Sequence, residues 1–294
     1  MDATRAIAVD AMGGDFGPDV VVPGVLAALR EGARCAVALY GDETEVRAAL
    51  AKAGGAGDLP VTVVPCTQDI AMGEAPAVAV RNRPDSPIVR AMRDHQERRV
   101  DAVVSAGSTR AMVAASLLIL GRLPGCDRPA IATFIPTLTG ETLLVDGGAN
   151  VQCTPPLLLS FARMGEVYCR ALGGTPRPRV GLLNIGAEPG KGSELTIVAH
   201  ALLRDSGLKF VGNVESNDIL TGACDVLVTD GFTGNITLKL VEGLAQFLGG
   251  LARSAQLEAA ERESLSALGG LLQRRFNYEV YGGAPLLGVA GVTV

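Results

Sequence analysis

Ile7-Ala-Val-Asp-Ala-Met-Gly-Gly-Asp-Phe-Gly-Pro18 compresses a strand, a turn and a helix start into twelve residues. The short apolar run Ala6 to Val9 reads as a fully buried strand, and Gly13 and Gly14 give the backbone freedom for a sharp turn. Pro18 then suits the first position of a helix through Asp19 to Arg30. A corner of this kind leaves amides at a helix N-terminus with the macrodipole behind them, a seat for an anion such as phosphate. Asp10 and Asp15 would repel an anion unless they orient the turn, cap the helix or hold a cation, so they read as framework or acid/base groups.

Five more corners of the same design follow along the chain. Asp101 to Ser105 is a buried strand that turns through Ala106-Gly-Ser-Thr109 into the apolar helix Ala111 to Leu120. Thr142 to Asp146 ends in Asp146-Gly-Gly-Ala-Asn150, ahead of a helix opened by Thr154-Pro-Pro. Val180-Gly-Leu-Leu-Asn-Ile-Gly186 runs into Ala187-Glu-Pro-Gly-Lys-Gly-Ser-Glu194, Leu208 to Asn213 ends near Glu215, and Asp225 to Asp230 leads through Gly231-Phe-Thr-Gly-Asn235 to a long helix. Between the corners, Cys35 to Tyr40, Val61 to Val64 and Ala130 to Ile135 read as further strands. Asp42 reads as the cap of a helix to about Lys52, and Ser86-Pro87 as the restart of a helix that Pro84 breaks.

Strands alternating with helices at this spacing predict an α/β fold: a doubly wound, mostly parallel sheet in three α/β/α layers, with ligands at the carboxyl ends of the strands. Asp10, Ser105, Asp146, Asn184, Asn213 and Asp230 are expected on that one rim. The expectation is a single domain over 1–294 with a helical excursion at about 236–280.

The totals narrow the function. With 48% apolar and 19% charged residues in 294, the composition is that of an ordinary globular chain. Trp is absent, aromatics make up 4% and the formal charge is -5, which argues against a nucleic-acid stacking platform or a general polyanion binder. Six cysteines without a C-x-x-C pair read as isolated thiols in a reducing compartment, and no metal site is expected. No apolar run approaches the ~20 residues needed to cross a bilayer and no secretory signal precedes Ile7, so a cytoplasmic location is expected. Arg81, Arg83, Arg90, Arg93, Arg98 and Arg99 form either a solvated face or a dock for an acidic partner.

Several familiar machines are missing. There is no G-x-G-x-x-G after a strand, no G-x-S-x-G and no H-E-x-x-H; Gly186 to Ser193 fails as a P-loop because its first glycine is misplaced and Gly192 follows Lys191. The two histidines, His95 and His200, sit on helices as surface or packing residues, which removes most support for Ser-His or Cys-His catalysis. What remains is a rim of turn amides, Asn and Thr side chains and one loop lysine, suited to gripping phosphate and a polarised carbonyl oxygen. Such a site needs no protein nucleophile if phosphate itself attacks an activated acyl group and a thiolate leaves.

The runs A-V-D-A-M-G-G-D-F-G-P (8–18), V-S-A-G-S-T (104–109), D-R-P-A-I-A (127–132), V-G-L-L-N-I-G-A-E-P-G-K-G-S-E-L (180–195), F-V-G-N-V-E (210–215), D-V-L-V-T-D-G-F-T-G-N-I-T-L-K (225–239) and Y-G-G-A-P-L-L-G (281–288) together resemble the bacterial phosphate acyltransferase PlsX family, across essentially the whole chain. The resemblance implies transfer of a fatty acyl group from acyl carrier protein to inorganic phosphate, giving acyl phosphate for phospholipid synthesis, without a cofactor. It also implies an isocitrate/isopropylmalate dehydrogenase-like fold, a homodimer and peripheral contact with the membrane.

By position, Lys191 and Asn235 are the expected catalytic residues. Asp10, Gly13, Gly14, Asp15, Ser105, Gly107, Ser108, Thr109, Asn150, Asn184, Gly186, Asn213, Asp230 and Thr233 are expected to bind substrate or phosphate. The chain departs from the family pattern at Ser108, Arg110 and Pro87, and it stops at Val294 where relatives continue. Those departures motivate an alternative, an impaired relative that only docks carrier protein or membrane. A decarboxylating dehydrogenase on the same fold is the other enzyme class, but its metal-binding aspartates and nicotinamide site are not assembled. Leu265 to Phe276 fits an amphipathic helix, either on a membrane surface or packed in a dimer or core.

Overall fold

In the structure, a computed structural model that describes residues 5–71, 73–172, 175–252 and 282–294, β1 (Arg5–Asp10) stops at Asp10 and α1 (Pro18–Arg30) opens with a proline at its first turn. The local signals are strong at these boundaries. Asp42 Oδ1 accepts from Glu45 N at 3.0 Å to start α2 (Glu43–Lys52), and prolines open α3 (Pro76–Asn82), α4 (Pro87–Gln96) and α6 (Pro155–Ala171). Ser86 stands at the N-cap of α4, but its hydroxyl bonds back to the Arg83 carbonyl, so it closes the preceding turn instead of capping. The apolar helix read over Ala111 to Leu120 is α5 (Thr109–Ala115) followed by a single π-helical turn.

The chain divides into two units, Met1–Pro129 with Gly288–Val294, and Ala130–Leu287. The first holds a parallel sheet in the order β3-β2-β1-β4, with β2 (Cys35–Gly41), β3 (Val61–Pro65) and β4 (Ala102–Ser105). Successive residues feed opposite faces, as a pleated strand requires. Ala8, Tyr40 and Val103 pack with Ile88, Met92 and Met112 from α4 and α5, whereas Val9 and Leu39 pack with Val22, Leu26 and Val46 from α1 and α2. Residues 292–294 run parallel to β4, exchanging backbone hydrogen bonds with Val103 and Ser105. His95 holds that segment: its Nε2 accepts from Val292 N at 2.9 Å, which leaves the proton on Nδ1 to donate to the Val100 carbonyl.

The second unit holds a six-stranded sheet, β10-β5-β6-β9-β7-β8. Its strands are β5 (Ala130–Thr137), β6 (Gly140–Val145), β7 (Arg179–Leu183), β8 (Lys209–Val214), β9 (Val226–Val228) and β10 (Leu286–Leu287). Strands β6, β9, β7 and β8 are parallel, while β5 and β6 form an antiparallel hairpin and β10 pairs antiparallel with β5. Leu143, Leu182 and Val226 pack under α6 and α7 (Glu194–Arg204); Leu144, Leu183 and Leu227 face the opposite way toward Ile219 and α8 (Gly231–Ala252).

The α/β class, the mostly parallel strands and the helices on both faces are as the sequence predicts. The strands fall into two sheets, one in each unit. The alternation of strand and helix does not say which strand each one pairs with, and the tight β5–β6 turn makes an antiparallel hairpin. The segment Leu265 to Phe276 and most of the expected excursion at 236–280 beyond Ala252 lie outside the described residues. No described helix is long and apolar enough to cross a membrane.

Candidate active site

In the first unit the ends of β1 and β4 meet. Asp10 and Ser105 are register partners, and the Ser105 hydroxyl donates to Asp10 Oδ2 at 2.7 Å while its oxygen accepts from Gly107 N at 3.0 Å. Asp10 Oδ1 takes the Met12 amide at 3.1 Å, so one carboxylate sets the shape of both turns. Burial pushes the Asp10 carboxyl above its ordinary 3.8, with the hydrogen bonds from Ser105 and the backbone pulling the other way and the Asp69 charge adding to the rise. The two turns touch so closely that a Cβ at Gly13 would sit 2.6 Å from Gly107 N.

Beside them lies a cavity of about 120 Å³ lined by Asp10, Gly13, Gly14, Asp69, Gly107 and Ser108 among others. It has room for several waters or one small anion. Ser108 caps α5 through Ala111 N, Thr109 opens that helix, and Asp15 lies exposed past the turn. The loop after β3 brings in Asp69, which nothing in the sequence singles out. Asp85 braces that loop by accepting from the Thr67 amide and hydroxyl and from Arg90, and those bonds hold its carboxyl down to about 2.

In the second unit the carboxyl ends of the neighbouring parallel strands β6, β9, β7 and β8 carry Asp146, Asp230, Asn184 and Asn213. Asp146 is fully buried and accepts from the amides of Ile131, Gly148, Ala149 and Asn150 and from the Asn150 side chain. Asp230 caps α8 by accepting from Thr233 N at 2.9 Å and from the Thr233 hydroxyl at 2.8 Å. The first turn of α8 then lies against the Asp146 turn: Gly231 N donates to the Asn150 carbonyl, and a Cβ at Gly234 would fall 1.9 Å from the Asp146 carbonyl oxygen. Asn235 is exposed and its amide approaches the Gly147 carbonyl at 3.4 Å.

The loop after β7 presents Lys191. It is exposed, and its ammonium makes no hydrogen bond or ion pair with any of the described residues. Gly186 lets the loop close on itself, since a Cβ there would meet Lys191 Cγ at 2.9 Å. Ser193 caps α7 through Thr196 N directly after the loop.

The expected residues therefore gather in two groups. Asp10, Gly13, Gly14, Asp15, Ser105, Gly107, Ser108 and Thr109 belong to the first unit; Asn150, Asn184, Gly186, Lys191, Asn213, Asp230, Thr233 and Asn235 belong to the second. Asp69 and Asp85 are missed by sequence reasoning, and Asp146 is expected on the rim without its structural role. Asp146 ends the strand before D-G-G-A-N, but nothing in that string reveals that its carboxylate organises the turn.

Burial drives the Cys66 and Cys224 thiols up to about 12 and Cys169 to about 11, so each stays protonated. His200 is buried edge-on to Phe210 at a 5.0 Å ring separation, and burial lowers its pKa. Of the arginine face, Arg83, Arg90 and Arg99 pair with Glu74, Asp85 and Asp94, while Arg81, Arg93 and Arg98 are exposed.

A family model described as fatty acid synthesis protein matches residues 5–294. The chain is 47% identical over 98% of its length to the phosphate acyltransferase of Moorella thermoacetica, covering 85% of that protein. It is 44% identical over 98% of its length to the phosphate acyltransferase of Salinibacter ruber, covering 87% of it. The chain belongs to the phosphate acyltransferase family. Among solved structures this family member resembles the EutD phosphotransacetylase from Staphylococcus aureus, with a TM-score of 0.59 and 16% identity over 83% of each chain. It also resembles a 4-hydroxythreonine-4-phosphate dehydrogenase from Burkholderia phymatum, with a TM-score of 0.53 and 18% identity over 99% of this chain and 89% of that one. At these identities the likeness speaks for the fold alone.

Proposed function

We propose that the chain transfers a fatty acyl group from acyl carrier protein to inorganic phosphate, releasing acyl phosphate for phospholipid synthesis. A phosphate oxygen attacks the thioester carbonyl, the C–O bond forms as the carbonyl π pair moves to oxygen, and collapse of that tetrahedral oxyanion breaks the C–S bond. The leaving thiolate, whose conjugate thiol has an ordinary pKa of ~8.5, departs with little acid assistance. The enzyme's work is positioning and charge stabilisation. In this reading Lys191 faces the phosphate or the oxyanion, Asn235 lies beside it as a donor, and the Asp10 corner shapes the small cavity of its own unit.

The observation that carries the proposal is the unpartnered Lys191 ammonium on a glycine loop at the strand-end rim of a phosphate acyltransferase family member. Burial that keeps the Cys66 and Cys224 thiols protonated disfavours either as an acyl carrier and so supports direct attack by phosphate over a cysteine relay. Carrier protein as donor, a homodimer, a cytoplasmic location and peripheral membrane contact belong to the same proposal. The test is direct: purified protein, palmitoyl carrier protein and phosphate should give acyl phosphate, trapped as the hydroxamate. Carrier protein bound without product would favour the docking alternative.

A further inference from the structure

We infer that Asn184 and Asn213 are positioning residues that fix the Lys191 loop, and do not themselves contact phosphate; this rests on the assignment of Lys191 above. Asn184 is buried at 8% exposure and both ends of its amide are used on the loop. Its Nδ2 donates to the Lys191 carbonyl at 3.0 Å, and its Oδ1 accepts from Ile185 N at 2.9 Å. Asn213, on the neighbouring strand β8, donates from Nδ2 to the Glu188 carbonyl at 2.9 Å, and its Oδ1 is shut away from solvent.

Two amides thus grip the loop between Ile185 and Lys191 at separate carbonyls. The loop returns to Asn184 so closely that Gly192, at φ +98°, has no room for a Cβ: one would lie 2.2 Å from Asn184 Oδ1. The Lys191 backbone is therefore tied to the end of β7 while its side chain is left loose, the arrangement expected of a cation that must meet an incoming anion at a fixed place. A lysine on an unbraced loop would sample many positions and stabilise charge at none of them.

A double-mutant cycle on acyl phosphate formation separates the roles. Lys191→Ala, Asn184→Ala and Asn213→Ala, each checked for an unchanged far-ultraviolet spectrum, are compared with the Asn184→Ala/Lys191→Ala double variant. Loss of a brace should lower kcat/KM about tenfold, through the same kinetic parameter that Lys191→Ala changes, and Asn184→Ala should cost nothing further once Lys191 is gone. A full additional loss in the double variant, or a change in a kinetic parameter that Lys191→Ala leaves alone, would show Asn184 acting independently of Lys191 and overturn the inference. Full activity in Lys191→Ala would instead overturn the assignment of Lys191, which the single variant reports on its own.

Discussion

The Ser105 hydroxyl and the Asp10 carboxylate are joined at 2.7 Å across two adjacent parallel strands, with Gly107 N bonded to the same serine oxygen. Two glycine turns that are 95 residues apart in sequence are thereby locked to one buried charge.

The Asp10 carboxyl is raised by burial, so the folded protein holds a proton there more tightly than the unfolded chain. The stability tied to that proton is fully present below the ordinary value of 3.8 and is lost as pH rises through the higher folded value. Asp10→Asn, which keeps the shape and drops the charge, should flatten this trend. Urea unfolding of both proteins between pH 4 and 7, with the wild type losing stability relative to the variant as pH rises, checks it.

Asp146 answers five donors from inside the second unit, so truncating it strands several buried amides at once. Asp146→Ala should cost about 4 kcal/mol in chemical unfolding, at the upper end for a single substitution. Gly234→Ala should cost about 3 kcal/mol, because the new methyl cannot share space with the Asp146 carbonyl and α8 must back away. A loss below about 1 kcal/mol in both would show that the α8 start is not docked on this turn.

How much of this was legible follows from how local each cause is. Pro18 and Asp42 act within one helical turn, and the sequence marks them correctly. The pairing of β6 with β9, or of Val292 with His95 across 197 residues, depends on contacts that no neighbouring residue announces. Asn184 and Asn213 illustrate the same limit within the site. An asparagine at a strand end looks the same in sequence whether its amide faces solvent or grips a loop carbonyl.

Thiols held near 12 by burial are closed to alkylation as well as to acylation. Iodoacetamide at pH 7.5 should leave Cys66 and Cys224 unmodified in the native protein and label them after unfolding, as peptide mass spectrometry reads out. Rapid labelling of either in the folded state would contradict their placement in the core.

The central claim is that phosphate attacks the thioester without a protein-bound acyl intermediate. Mixing the protein with an equal amount of palmitoyl carrier protein in phosphate-free buffer, and following release of the carrier thiol, tests it most directly. The account predicts no release until phosphate is added, then a rate that follows the phosphate concentration to saturation. A burst of one thiol per protein before any phosphate is present, with the acyl mass retained on the chain, would contradict it.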